Sequence, residues 1–241
     1  VIELLGVGVP AGGGRWLLHR VCARLERGAL TAVVARAPAE SGALLDAVAG
    51  RAIPREGRVW VERRPLMPET AGRIRALVAD VGGATAFALG RSVLWNTLVD
   101  SGHPLAGLLR LPRRGERLAA LRALQAVGLG ERARAPMSAL TPAERLRVAL
   151  ARAVSWRSVA VVLRDVDDLL GADEAAALLA LARAMARAHR LVALASLASP
   201  ALARTHADRL IVLAEGLLVF YGRALEPVAG LVSSRLEAAA P

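Results

Sequence analysis

The chain contains no lysine; its 32 basic residues are all arginine. No ammonium group is therefore available to reach the terminal phosphates of a nucleotide. A single cysteine, Cys22, excludes an internal disulfide and suits a reducing cytosol. Sitting in an apolar run, Cys22 is expected to be a small buried hydrophobe. Aromatics make up only 3% of the residues, which argues against stacking-based recognition of single strands. The longest uncharged stretch, Leu191–Ala203, has 13 residues and contains Pro200, too short to span a bilayer. No basic-then-apolar signal segment opens the sequence, and a start at Val1 is expected to reflect a trimmed initiator or short leader. His19, His103, His189 and His206 are dispersed without metal-ligand spacing. No Ser/His/Asp or Cys/His arrangement is legible.

What is present is enough to build a core. The chain has 241 residues, 55% of them hydrophobic, which suits one large domain or one domain with a subdomain. The formal net charge of +11 is compatible with nucleic acid, an acidic membrane surface or an acidic protein partner. The arginines are scattered through helical stretches, and much of the Arg and Ala excess reads as genome composition.

The organising stretch is Thr31–Gly50, TAVVARAPAESGALLDAVAG. Thr31–Ala35 reads as a buried strand and Gly42–Ala49 as a helix closed by Gly50. Between them a six-residue turn, Arg36–Ser41, is expected. A phosphate-binding loop sits at such a junction. That loop needs glycines, so that backbone N–H groups converge, and a lysine. Here Pro38 removes a donor and Glu40 places a negative charge where an anion would lie.

Before this stretch, Val1–Leu5 and Val21–Leu25 flank a glycine-rich loop, Gly6–Gly14, as a hairpin-like pair, with Trp16 expected in the core. After it, Arg58–Glu62 reads as a strand with Val59 and Val61 on one face and Trp60 on the other. Ile74–Val81 reads as a further strand, and Ser92 as a helix cap. His103–Arg114 is a linker, and Gly115–Val127 has helical spacing. Thr141, Pro142 and Glu144 make a helix N-terminus. Val159–Leu163 and Leu191–Ala195 are buried strands. Between them lie an acidic turn, Asp165–Asp168, and a helix capped by Asp173 that runs to about His189. Arg209–Leu213 and Leu217–Phe220 form a terminal hairpin, followed by a tail helix over Ala224–Ala238. Alternating buried strands and helices predict an α/β fold with a mostly parallel central sheet.

The order of these parts resembles an ABC-transporter nucleotide-binding subunit along nearly the whole chain, most like those of phosphonate importers. RVALARA (Arg147–Ala153) resembles the helix after the family's signature motif. SVLWNTL (Ser92–Leu98) resembles the opening of its helical lobe, and LRALQAVGL (Leu121–Leu129) the segment before the signature. ADRLIVLAEGLLVFYG (Ala207–Gly222) resembles the closing hairpin, and GRVWV (Gly57–Val61) the strand after the phosphate-loop helix. The resemblance implies an α/β, P-loop-NTPase-like ABC nucleotide-binding domain with an N-terminal antiparallel β subdomain. Its core would span 1–90 and 155–241, and its helical lobe about 91–154.

Carried over position by position, the motifs depart from the family pattern. The phosphate loop falls on Ala35–Ala43, with Pro38 and Glu40 at glycine positions, Ser41 at the lysine, and Gly42 and Ala43 at the hydroxyls. The γ-phosphate-sensing glutamine falls near Ala79, while the chain's one glutamine, Gln125, lies elsewhere. The signature falls on Leu140–Glu144, where Thr141 keeps a hydroxyl and Pro142 deletes a donor. The strand carrying the magnesium aspartate and catalytic glutamate falls on Val159–Asp165, aligning them with Arg164 and Asp165. In the alternative register Asp165 is the magnesium ligand and Val166 takes the base position. The switch histidine falls near Ala198, and the base-stacking aromatic is absent, with Val9 and Pro10 in its place.

The resemblance thus implies a cassette that uses ATP and magnesium in its active relatives, but no cofactor is expected here. The expected role is a non-hydrolysing subunit or interaction module. It would dock on a membrane permease or a partner ATPase, as a homodimer or heterodimer, in the cytoplasm at the inner face of the membrane. No nucleic acid partner is expected. Arg91, Trp95 and Asn96 are the candidate docking residues. Glu40 is a candidate internal substitute for a phosphate. Asp165, Asp167, Asp168 and Asp173 are weighed as a salvaged metal site and read as a solvated turn. The alternatives are a weak or unconventional ATPase energising import, and a repurposed arginine-rich binder of nucleic acid or another anion.

Overall fold

A computed structural model describes residues 1–82, 85–99 and 112–224. The predicted tail helix and most of the His103–Arg114 linker lie outside the described residues.

Strands β1 (Ile2–Gly12) and β2 (Arg15–Leu25) form a long antiparallel hairpin. Only Gly13 and Gly14 separate them, so the glycine stretch expected to be a loop is mostly strand. Its glycines are absorbed as irregularities in the ladder, with register shifts between Leu4 and Gly12. Period-two alternation sends Val21, Ala23 and Leu25 inward and leaves Cys22 exposed, contrary to the buried-hydrophobe expectation. The Cys22 thiol accepts the Gly6 N–H. Trp16 is half-buried, its ring 5.4 Å from that of His19.

Two more strands, β4 (Glu56–Val61) and β5 (Arg64–Pro65), complete a sheet in the order β2-β1-β4-β5. Val59 and Val61 point inward and Trp60 is half-buried, as the alternation predicts. Gly57 is obligatory here: its φ is +72°, and a Cβ would lie 2.2 Å from the Gly6 carbonyl oxygen.

The second sheet contains β3 (Leu30–Ala35), β6 (Val78–Val81), β7 (Ala160–Leu163), β8 (Val192–Ser196), β9 (Arg209–Ala214) and β10 (Leu217–Arg223). Its order is β10-β9-β3-β8-β7-β6, parallel throughout except for the β9–β10 hairpin. The helices are α1 (Pro38–Val48), α2 (Pro68–Leu77), α3 (Val93–Leu98), α4 (Arg114–Ala126), α5 (Pro142–Ser155), α6 (Val166–Leu169), α7 (Ala172–His189) and α8 (Pro200–His206).

The parallel strands are covered on both faces, which is why they read as unbroken apolar runs. Val33, Val162, Ile211 and Leu213 join a core with α1 and the β1–β2 hairpin. Leu30, Val34, Val161, Leu163 and Val212 join the other core, which runs through α5 and α7 to Leu124 and Met137. Each fully buried Leu or Val side chain contributes roughly 1.5–3 kcal/mol.

Two further element expectations are corrected. Ile74–Leu77 belongs to α2, and only Val78–Val81 is strand. Pro68 opens that helix and the Thr70 hydroxyl accepts the Met67 N–H, so a start signal stood ahead of the apolar run. The cap of α7 is Gly171, and Asp173 lies inside its first turn.

Asp208 ties three elements together at the start of β9. Its carboxylate accepts the Leu30 N–H at 2.9 Å, Arg183 at 2.5 Å and Arg187 at 2.7 Å. Burial pushes its pKa up, but the hydrogen bonds from Arg183 and Leu30 outweigh that and hold it below the ordinary 3.8. A depressed carboxylate stabilises the fold above its unfolded pKa, and that stability is lost as pH falls through the folded value. Acid unfolding followed by circular dichroism is therefore expected to be steepest below about pH 4. Asp208→Asn is expected to flatten that limb while lowering stability at neutral pH.

Candidate functional site

The candidate positions after β3, β7 and β8 lie at the carboxyl ends of those strands, where open α/β sheets place ligands, while Ala79 lies within β6 and Leu140, Thr141 and Glu144 lie at the start of α5. At the end of β3, the expected six-residue turn is not formed. Helix α1 begins at Pro38, with only Arg36 and Ala37 between it and the strand. Proline is pre-organised for the first helical position and gives up a donor that would be free there anyway. Ser41 donates its hydroxyl to the Pro38 carbonyl at 2.9 Å, and the Glu40 N–H reaches the Ala37 carbonyl at 3.0 Å. The segment that would form an open phosphate loop is thus the first helical turn.

Glu40 is 6% exposed. Its Oε1 accepts the Gly216 N–H at 2.8 Å from the β9–β10 turn, and its Oε2 is buried without a partner. The carboxylate therefore turns inward, not to solvent. A negative charge in the first turn of a helix is favoured by the helix dipole. Ser41 and Ala43 are buried, Gly42 is half-buried, and Ala35 packs at the edge of the core.

At the end of β7, Arg164, the residue one of the two registers aligns with the magnesium aspartate, is held between two carboxylates. Its Nε lies 2.9 and 3.1 Å from the two Asp80 oxygens, and its Nη2 lies 2.6 Å from Asp46 Oδ1. Arg51 adds a second guanidinium, 2.8 Å from Asp80 Oδ2. Asp46 comes from α1, Asp80 from β6 and Arg51 from the turn after α1. Two cations and two anions thus form one cluster across the sheet end. Burial opposes the charge on Arg164, but Asp80 and Asp46 outweigh it and hold its pKa above the ordinary value. Sequence reasoning placed Arg164 but missed Asp46, Asp80 and Arg51.

The other positions are engaged locally. Asp165 adopts a left-handed conformation, φ 47° and ψ 48°. Its N–H donates to Ser196 Oγ at 2.9 Å, and Ser196 Oγ donates to its carboxylate at 2.8 Å. Asp167 accepts the N–H groups of Ala198 and Ser199 at 3.1 and 2.7 Å, so the switch-position amide is already used. Ser199 in turn caps α8. Ala79 lies mid-strand opposite Val161, two residues before the end of β6, and packs on the core. Among the described residues no cluster of three His, Cys, Asp or Glu side chains could hold a metal ion.

In the signature region Leu140 is buried. Thr141 and Glu144 form a reciprocal capping box on α5: Glu144 N donates to Thr141 Oγ1 at 3.2 Å, and Thr141 N donates to Glu144 Oε2 at 2.9 Å. Thr141→Ala is expected to cost about 1 kcal/mol, read as a lowered urea midpoint at unchanged slope.

Of the candidate docking residues, Arg91 and Trp95 lie at the surface, with the guanidinium 5.8 Å from the indole centre. Asn96 does not belong with them. It is buried, and its amide bonds the Ala88 N–H at 2.8 Å and the carbonyls of Ala88 and Ser92 at 3.1 and 3.0 Å. A groove of about 290 Å³, whose lining includes neither Arg91 nor Trp95, is formed by Phe87, Leu89, Pro142, Arg145, Leu146 and Leu169.

No family model matches the chain. A phosphonates import ATP-binding protein, PhnC 1, of Natronomonas pharaonis is 33% identical over 215 residues, covering 86% of this chain and 87% of that protein. PhnC of Paraburkholderia xenovorans is 28% identical over 221 residues, covering 87% of this chain and 73% of the relative. Among solved structures, cbiO1 from Clostridium perfringens, part of the ABC transporter complex cbiONQ, superposes with a TM-score of 0.83 at 18% identity, covering 100% of this chain and 96% of that one. The ADP conformation of MJ1267, an ATP-binding cassette of an ABC transporter, gives 0.81 at 17% identity over 100% and 99%. The fold, the order of its motifs and these relatives agree: the chain belongs to the family of ABC-transporter ATP-binding subunits, of the phosphonate-import type.

Proposed function

We propose that this chain is a non-hydrolysing cassette subunit of a phosphonate-type importer. It works from the cytoplasmic face of the membrane, docked on a permease and paired with a second copy or a catalytically active cassette. The observation that carries the reading is the Arg164 cluster. A guanidinium is held between Asp46 and Asp80, and in the register that aligns Arg164 with the family's magnesium aspartate it stands in place of the metal-binding carboxylate. A cation already in that place repels a second one. The first turn of α1 supports the same reading, because Glu40 brings its own anion to the helix N-terminus.

Of the altered positions, the docking groove uses Pro142. The groove between the residues after β6 and α5 presents exposed Leu89 and Leu169 beside Arg145. Its apolar lining with a rim cation suits a short amphipathic segment of a permease. Among the described residues no helix is long and apolar enough to cross a membrane, so attachment would run through such a partner. The test is co-expression with a permease of a phosphonate-type importer. The expected result is a stable complex that retains the subunit and shows no ATP hydrolysis unless an active cassette is added. Hydrolysis by the purified pair alone would overturn the proposal.

A further inference from the structure

At the opposite end of the central sheet, away from the motif positions, lies a basin of about 720 Å³. Its lining includes five arginines, Arg27, Arg183, Arg187, Arg209 and Arg223, against two carboxylates, Glu26 and Asp208. The surplus is three positive charges.

The acids present are already committed. Asp208 takes Arg183, Arg187 and the Leu30 N–H, and Glu26 takes Arg209 at 3.2 Å. Arg27 is held from outside the basin by Glu62 at 2.7 Å. No carboxylate among the described residues pairs with Arg223. Arg223 also sits directly opposite Arg209 across the β9–β10 ladder. Like charges facing each other in an antiparallel pair are destabilising; Arg209 is held by Glu26 and lies 5.4 Å from the Tyr221 ring centre, which leaves Arg223 as the uncompensated member. Holding two guanidiniums on Asp208 restricts their rotamers, and guanidinium N–H groups are suited to phosphate oxygens.

We infer that this basin is a binding site for a small multivalent phosphate-type anion, independent of the nucleotide position at the other end of the sheet. The anion bridges Arg187, Arg209 and Arg223 and supplies the countercharge that Arg223 lacks among the described residues. A concave site of this size suits a di- or triphosphate better than a flat duplex.

Calorimetric titration of the full chain with inorganic pyrophosphate tests the site, with ADP as a second arm to separate free from nucleoside-borne phosphate. One saturable site is expected, weakening as salt rises. Arg187→Gln with Arg223→Gln is expected to weaken it at least about tenfold. Arg58→Gln with Arg114→Gln removes the same charge from exposed positions elsewhere and is expected to leave it unchanged. Equal loss in both variants, or no saturable binding by the unaltered chain, overturns the inference. Should the first variant fold poorly, phenylglyoxal labelling of the unaltered protein decides: pyrophosphate is expected to shield Arg187 and Arg223, and unshielded labelling of both overturns the site. ADP binding that persists in a folded Arg187/Arg223 variant would count against the reading of the motif end, not against this site.

Discussion

Arg164→Met is expected to lower stability by about 2–3 kcal/mol, and the melting temperature by roughly 4–12 °C. The side chain is only 16% exposed and is the cation shared by Asp46 and Asp80. Removing it leaves two carboxylates facing the same space. The usual cost of breaking a buried pair is about 3–5 kcal/mol. Here it is reduced, because Arg51 still neutralises Asp80 and Asp46 is 40% exposed and recovers water. A double variant, Arg164→Met with Asp80→Asn, is expected to lose less than the sum of its parts, the sign of direct coupling. Thermal unfolding of the four proteins of that cycle measures it. Strict additivity would mean that the cluster is a loose surface feature, and the account of a filled metal position would lose its footing.

The second large effect is on nucleotide affinity. An ABC-type phosphate loop sets converging amides and one lysine against several negative charges. Each charge-assisted hydrogen bond lost costs roughly 1.5–3 kcal/mol. Here the lysine position is Ser41, with its hydroxyl turned back to Pro38, and the glycine positions are Pro38 and buried Glu40. Together with Arg164 at the metal position, these changes should remove on the order of 5 kcal/mol or more, about 10³–10⁴ in affinity. Repulsion from the Glu40 carboxylate would add roughly 1–4 kcal/mol against a nearby phosphate. No other described side chain at the motif positions compensates. Asp165 is engaged with Ser196, and the Ala198 amide with Asp167.

The apolar strands were legible because a parallel strand covered on both faces shows its burial in every residue, as Ala160–Leu163 does. The caps were legible for a related reason: Ser92 and the Thr141–Glu144 box act over three residues. What depended on a distant partner was not. Arg164 meets Asp80 and Asp46 across 84 and 118 positions, and Glu40 finds the Gly216 amide across 176. No local pattern announces such pairs. Cys22 was misread by averaging over its neighbours, where alternation along β2 puts it outside. The junction after β3 was also misread. The turn was placed in the gap between the apolar strand and a helix read from Gly42, whereas Pro38 is itself a helix-start signal and the chain obeys it.

The central claim is that the protein's own Glu40 and Arg164 occupy the places of a phosphate and a metal ion. Equilibrium titration of the purified protein with ATP, with and without magnesium, tests it most directly. The account predicts no saturable binding at the motif end below about millimolar nucleotide, and no tightening when magnesium is added. Micromolar binding that requires magnesium, and that is unchanged in the Arg187/Arg223 variant, would contradict it.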